Sequence, residues 1–172
     1  LEHGPAVGLG VFLLGVKVGM LVLIRFIIPI LPDQVAFWAP GVSLLGVGGL
    51  FYGGLLALVQ PQLRRVMAFI TLSHMGYVVP ALFSLNRYGM EGGIVEMLNL
   101  GTAAAGLYFA AAFMHQRFGT SDFTKLRAVA PSMPRLSIAF LLIVLTSLGM
   151  PGTLGFDALH LVLEGALEAK SY

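Results

Sequence analysis

Cysteine is absent from the sequence of 172 residues, and charged residues are scarce. Without cysteine, the chain has no disulfide framework and no thiolate ligand for zinc or an iron–sulfur cluster. Asp, Glu, Lys and Arg together make up 10% of the residues, whereas about 25% is usual in soluble domains. The hydrophobic residues make up 58% of the chain. The few charged residues cannot cover a water-facing surface around so much apolar material. This balance excludes a soluble globular domain and favours a protein that lies in lipid.

The sequence also lacks the motifs of common cofactor and catalytic sites. It contains no G-x-x-x-x-G-K-[ST] loop or dinucleotide fingerprint, and nothing resembles a Ser/His/Asp triad, a zinc site or paired haem ligands. The formal net charge is +2 and the basic residues are scattered, which does not suggest nucleic acid. We therefore expect no cofactor, no metal site and no nucleic-acid partner for this chain.

Five hydrophobic stretches are long enough to cross a bilayer as helices, which takes about 20 residues each. They cover residues 6–30, 38–59, 64–85, 92–116 and 136–167. The pattern predicts an all-α, polytopic transmembrane helix bundle with these five membrane helices. The sequence does not begin with Met and its last hydrophobic segment runs almost to its end. We therefore interpret residues 1–172 as a partial membrane domain, a fragment of a larger protein.

The last predicted helix is interrupted at residues 149–153 (GMPGT). Proline and glycine in mid-membrane do not continue a regular helix, and each freed backbone group costs several kcal/mol in lipid. Such breaks persist where other protein segments bury them or where they line an aqueous cavity, as in transporters. The alternative is a plain proline kink packed by neighbouring helices.

Basic residues concentrate on one side of the predicted bundle. With five spans, the turn after the second and the loop after the fourth lie on the same side. That side carries Arg64, Arg65, Arg117, Lys125, Arg127 and Arg135. Because the positive-inside rule places such residues in the cytoplasm, we expect the first helix to enter the membrane from there.

Lys17 lies near the middle of the first predicted span. A charged lysine at the centre of a membrane helix costs about 2.5–3.5 kcal/mol on insertion scales. Removal from water disfavours the ammonium form, so Lys17 suits a group that gains and loses a proton. Two other interpretations stay open: a static pair with a carboxylate of another helix, and a side chain that snorkels to the membrane surface.

Two further titratable residues lie within apolar spans. His74, near the middle of the third span, is either a proton relay or a packing residue with satisfied hydrogen bonds. Glu96, towards one end of the fourth span, is either a functional buried carboxylate or an interfacial one. The sequence does not decide between these interpretations.

Asp157, His160 and Glu164 follow the helix break. Spacings of three and four residues place all three side chains on one helical face. A titratable stripe in a membrane helix suggests a water-filled path. The alternative is a half-helix at the edge of the fragment that is partly interfacial.

Two segments have a distinctive sequence: residues 56–69 (LALVQPQLRRVMAF) and residues 73–77 (SHMGY). Together they resemble the antiporter-like proton-pumping subunits of respiratory complex I. The chain M type of NADH-quinone oxidoreductase is the most similar, and multi-subunit sodium/proton antiporters and membrane-bound hydrogenases share the pattern. Residues 148–153 (LGMPGT) resemble the broken helix of the family's second repeat, and residues 13–17 (LLGVK), with Arg25, resemble its eighth helix.

The resemblance implies that the chain holds about the eighth to twelfth helices of the family's fold. It also implies that Lys17 is the middle lysine of the proton path and that His74 is a relay beside it. Two positions depart from the family's pattern. A histidine usual in the helix after His74 is Leu100 here, and the charged residue usual after the break is Leu159, with Asp157 or His160 as its nearest substitutes.

Our main hypothesis is therefore a membrane-arm subunit of a redox-driven proton pump of the NADH-quinone oxidoreductase type. Protons would pass between Lys17, His74, ordered water and the group of Asp157, His160 and Glu164, with no redox centre on this chain. The expected partners are lipid and other membrane subunits, in a bacterial inner membrane or an equivalent energy-transducing membrane.

Two alternatives come from other classes of protein. The first is a subunit of a cation/proton antiporter or of a bicarbonate-accumulating complex without electron transfer, in which sodium could replace the proton. The second is a degenerate paralogue that no longer conducts, an interpretation motivated by Leu100 and Leu159.

Overall fold

The computed structural model describes residues 6–120, 122 and 129–169, and every regular element in these ranges is a helix. A π-helical turn, Leu23–Ile27, joins the first two helices into one continuous rod. The predicted basic residues Lys125 and Arg127 lie outside the described residues. The helices are α1 (Ala6–Val22), α2 (Ile28–Ile30), α3 (Pro32–Leu58), α4 (Leu63–Phe83), α5 (Arg87–Phe118), α6 (Val129–Ser132), α7 (Pro134–Ser147) and α8 (Leu154–Ala169).

Among the described residues, α3, α4 and α5 are each long and apolar enough to cross a membrane, and α7 is a shorter apolar helix. Large hydrophobic side chains such as Phe37, Leu45 and Leu58 project outward from α3. A helix that is apolar on all sides suits a surrounding of lipid or of other membrane helices. The predicted all-α transmembrane helix bundle is confirmed.

Small residues let α4 and α3 pack so closely that their backbones are in contact. A Cβ built on Gly46 would lie 2.6 Å from Cδ of Pro80, and one on Gly53 would lie 2.7 Å from the backbone nitrogen of Ser73. The hydroxyl of Ser73 then donates to the backbone oxygen of Leu50 at 2.9 Å. Without a hydrophobic driving force in lipid, close packing of small residues and hydrogen bonds between helices hold such a pair together.

α5 is the helix around which the others assemble, since it contacts α1, α4, α7 and α8. Asn86 caps its first turn by accepting a hydrogen bond from Gly89 N at 2.8 Å, and Gly119 ends it in the left-handed conformation at φ 69°. Gly92 allows α8 to come close, because a Cβ there would lie 2.7 Å from the backbone nitrogen of Val162. The long helix therefore sets where its neighbours lie.

The break predicted at residues 149–153 is confirmed, since α7 ends at Ser147 and α8 begins at Leu154. Gly149 and Gly152 adopt φ values of 71° and 87°, which side chains with a Cβ rarely tolerate. Gly155, in the first turn of α8, packs against the carbonyl of Thr146, where a Cβ would not fit. The two half-helices therefore stay in contact across the break.

The Arg-rich ends of the helices share one face of the bundle. An isolated backbone bridge pairs Gln62, just before α4, with Asp122, beyond the end of α5. Arg64 and Arg65 in the first turn of α4 therefore lie at the same end as Arg117 in the last turn of α5. This arrangement agrees with the loop assignment behind the predicted orientation, which itself stays a prediction.

The orientation can be tested by labelling engineered cysteines in the full-length protein. If the Arg-rich end is cytoplasmic, Gln116→Cys should resist a membrane-impermeant maleimide in intact cells and react once the cells are permeabilised. Tyr88→Cys, at the opposite end of α5, should react in intact cells. Both native side chains are exposed, so access should depend on the membrane and not on packing. The reverse labelling pattern would overturn the orientation.

Candidate functional site

The structure brings His74 of α4 together with Glu96 of α5. The Nδ1 of His74 lies 2.7 Å from Oε1 of Glu96, within the range of a charge-assisted hydrogen bond. The Glu96 side chain is 0% exposed and that of His74 is 16% exposed. A carboxylate removed from water needs a cation or several donors, and the imidazole can supply a donor at Nδ1 in either of its charge states.

Asn99 and Tyr77 complete this cluster. Asn99 lies one turn after Glu96 on α5, and its Nδ2 donates to Oε2 of Glu96 at 3.0 Å. Tyr77 lies one turn after His74 on α4, and its ring centre is 5.5 Å from that of the imidazole. Both carboxylate oxygens of Glu96 therefore have polar partners, so the cluster can hold a shared proton away from water.

Glu96 is the functional candidate that the sequence left undecided. We placed it towards the end of a span beginning at residue 92, whereas α5 begins at Arg87 because Asn86 caps it there. The carboxylate is consequently deeper in the helix than expected, and it is fully buried. The spacing of Glu96 and Asn99, three residues apart on an otherwise apolar face, is the sequence signal that could have indicated a buried polar site here.

Lys17 of α1 lies on another side of α5, against Gly101. A Cβ at Gly101 would collide with the Lys17 ammonium and would lie 2.7 Å from its Cε. The lysine lines an apolar groove of about 330 Å³ between α1 and α5, together with residues such as Leu21, Met97 and Leu98. In the part of the chain that the structure describes, no carboxylate forms an ion pair with Lys17, so its static partner would have to lie elsewhere.

Asp157, His160 and Glu164 lie on the outer face of α8, away from His74. The Nε2 of His160 is 3.2 Å from Oε1 of Glu164, and these side chains are 63% and 44% exposed. The opposite face of α8 packs inward through Gly155, Ala158, Val162 and Gly165. This geometry agrees with the prediction that the three side chains share one face of the helix. They form a group that is separate from the buried cluster of His74 and Glu96.

The two positions that depart from the family's pattern differ in their surroundings. Leu100 is buried and lines a small cavity beside His74. Leu159 is 38% exposed on α8, and its Cδ2 lies near Gly149 at the break. Leu100 therefore faces the His74 cluster directly, whereas Leu159 lies at the outer surface of the described bundle.

Comparisons with known proteins support one family over almost the whole chain. The family model described as "NADH:quinone oxidoreductase/Mrp antiporter, TM" matches residues 2–172. NADH-quinone oxidoreductase subunit M of Pseudomonas aeruginosa is 36% identical over 146 residues, which cover 85% of this chain and 29% of that protein. The NAD(P)H-quinone oxidoreductase chain 4 2 of Thermosynechococcus vestitus is 36% identical over 156 residues, which cover 91% of this chain and 29% of that protein.

A solved structure gives the same result. A chain of the structure "Respiratory complex I from Thermus thermophilus with bound NADH" superposes with a TM-score of 0.85 at 31% identity, covering 90% of this chain and 33% of that chain. The present chain therefore spans about a third of the length of the proteins that it matches.

The pairing of His74 with Glu96 can be tested by a double-mutant cycle on stability. His74→Leu leaves the buried carboxylate without its imidazole partner, and removal of one member of a buried pair costs about 3–5 kcal/mol. Replacement of both residues by leucine removes the unpaired charge and should recover most of that loss. The measurement is the Tm of the purified full-length complex for each variant.

Arg87→Leu provides the matched control for this cycle. It breaks the ion pair between Arg87 and Glu91, which is also 2.7 Å long but has side chains that are 84% and 48% exposed. Such exposed pairs contribute little, so this variant should keep its Tm. If the leucine double variant loses as much stability as the sum of its two single variants, the two buried residues are not coupled and the assignment is wrong.

Proposed function

This chain belongs to the membrane family of NADH:quinone oxidoreductase and Mrp antiporter subunits, and we propose that it forms part of a proton-translocating subunit in the membrane arm of a redox-driven pump. The relatives that resemble it are named as quinone oxidoreductase subunits, which favours this function over an antiporter without electron transfer. Its partners would be lipid and the other membrane subunits of such a complex, in a bacterial inner membrane or an equivalent energy-transducing membrane. No redox centre or cofactor is assigned to this chain.

The observation that carries the proposal is the buried cluster of His74, Glu96 and Asn99 between two membrane helices. A histidine with a purely structural role needs only a packed ring whose nitrogens form hydrogen bonds. Here the imidazole is paired with a carboxylate that is 0% exposed, a pair whose charge changes whenever His74 gains or loses a proton. Intramembrane ionisable residues of this kind mark ion paths and proton relays.

Glu96 also bears on whether Leu100 disables conduction. Residues 96 and 100 are four apart, so they lie on the same face of α5. Leu100 occupies the position of the family's usual histidine. One turn earlier, however, α5 presents the titratable group of Glu96 to His74. This arrangement argues against the degenerate, non-conducting paralogue.

Lys17 is the second relay group of the proposal. Its ammonium contacts Gly101, which follows Leu100 on α5, so the lysine and the His74 cluster flank the same stretch of one helix. Asp157, His160 and Glu164 would serve at the outer surface of α8, where another helix or water can reach them. Protons would thus move across the bundle from Lys17, past α5 to His74, and onward to α8.

Substitutions at Lys17 test this function in the full-length complex. Lys17→Ala removes both the charge and the site of proton exchange, whereas Lys17→Arg keeps the charge but does not release a proton near neutral pH. If Lys17 is a relay, both variants should assemble and lose proton pumping in proteoliposomes. The control is assembly on native gels, measured beside pumping.

The outcomes distinguish the proposal from its rivals. Rescue of pumping by Arg together with failed assembly of the Ala variant would make Lys17 a structural partner only. Full pumping by the Ala variant would exclude Lys17 from the path. Sodium uptake that persists in the presence of a protonophore would favour a cation translocator over a proton pump.

A further inference from the structure

A small cavity lies directly beside the His74 cluster, between α4, α5 and the end of α7. Four polar residues line it: Thr71 and His74 of α4, Asn99 of α5 and Ser147 of α7. The rest of its wall is apolar and includes Leu100 and Ala103. The space open to a water molecule is about 10 Å³, and about 10–15 Å³ by this measure is needed for one water. The cavity is therefore at the lower limit of the size that holds one water molecule, and nothing larger fits.

Asn99 points to a ligand in this cavity. Its side chain is 1% exposed, and its Oδ1 has no hydrogen-bond partner among the residues that the structure describes. The orientation of the amide follows from Glu96, because Nδ2 must face the carboxylate to donate to it at 3.0 Å. An acceptor left unpaired in a buried site costs about 1–3 kcal/mol, so Oδ1 is expected to bind a donor that the described residues do not supply.

The other polar groups in the cavity wall can also bind a small ligand. The hydroxyl of Thr71 donates to Met67 O at 2.8 Å, and that of Ser147 donates to Val144 O at 2.9 Å. Each hydroxyl oxygen still has lone pairs that can accept a hydrogen bond. His74 uses Nδ1 for Glu96, which leaves Nε2 as the ring nitrogen that could bond to a ligand. A water in the cavity would thus have Asn99 Oδ1, the two hydroxyl oxygens and this ring nitrogen as candidate partners.

We infer that one water molecule binds in this cavity and connects His74 to Ser147 at the end of α7. When His74 carries two protons, Nε2–H donates to the water oxygen, and the water donates to Asn99 Oδ1 and to one of the two hydroxyls. When His74 is neutral and keeps its proton on Nδ1, the water donates to Nε2 and to Asn99 Oδ1. In both states the buried Oδ1 is satisfied, and the water turns with the charge of His74.

This water extends the path from the pair on α4 and α5 to the residue just before the helix break, since α7 ends at Ser147. The presence of the water depends only on the cavity, whereas its use as a relay rests on the proposed function. Two kinds of measurement on the full-length complex, water density and proton pumping, keep these two statements apart.

The test variant is Thr71→Val with Ser147→Ala, which removes both hydroxyls from the cavity at nearly constant volume and leaves Asn99 and Glu96 unchanged. The matched control is Thr102→Val with Thr146→Val. Those hydroxyls also donate to backbone carbonyls of their own helices, that of Thr102 to Leu98 and Asn99 and that of Thr146 to Leu142, but neither residue lines the cavity. Electron cryomicroscopy at a resolution that shows ordered water, and protons pumped per electron pair, are measured for wild type and for both variants.

In the wild type and in the control, we expect water density within hydrogen-bond distance of Asn99 Oδ1. In the test variant, we expect this density to be lost or displaced and proton pumping to fall at least several-fold. Absence of density in the wild type would overturn the water site. Loss of density with unchanged pumping would overturn its relay role, and the proposed function would stand if Lys17→Ala still abolished pumping. An equal loss of pumping in the control would also overturn the relay role, because the effect would not depend on the cavity.

Discussion

The structure depends on the cost of burying one carboxylate between membrane helices. Glu96 is 0% exposed, and a lone buried charge would be far too expensive for a protein of ordinary stability. His74 must therefore face Glu96 from α4, and Asn99 must face it from α5 itself. This requirement fixes how α4 is rotated about its axis and how far it is shifted along α5. Apolar contacts alone would specify both less strictly. The same bond then provides the proposed relay.

Small residues on α5 let its neighbours come close enough for such contacts. Gly93 receives the side chain of Leu82 from α4, Gly92 receives the backbone of α8, and Gly101 receives the ammonium of Lys17 from α1. A Cβ at Gly92 would collide with the backbone of α8, whereas at Gly93 and Gly101 the end of a flexible side chain would have to move. Close packing in lipid relies on such positions, and here they also place the titratable groups around one helix. Packing and proposed function therefore use the same residues.

The sequence predicted those features that depend on composition along the chain. Long apolar runs indicated the bundle, and glycine and proline marked the break that the structure has between α7 and α8. Lys17 and His74 were singled out because each is a lone titratable group in an apolar span. The partner of His74 was not predicted, because it lies on another helix and its depth depends on the Asn86 cap, which begins α5 at Arg87. The spacing of Asp157, His160 and Glu164 gave their common face, but only packing shows that this face points outward.

A carboxylate as the partner of His74 has an electrostatic consequence. With His74 protonated, the pair with Glu96 is neutral; after His74 loses its proton, the pair carries one negative charge in a site shielded from water. Charges interact more strongly in such surroundings than in water, and an α-helix with its side chains is only about 10–12 Å across. Lys17 contacts α5 at Gly101, two residues after Asn99 of the cluster. In the proposed path, a change of charge at the pair can therefore act on Lys17 through the electric field across α5. The two proposed relay groups need not touch each other for this interaction.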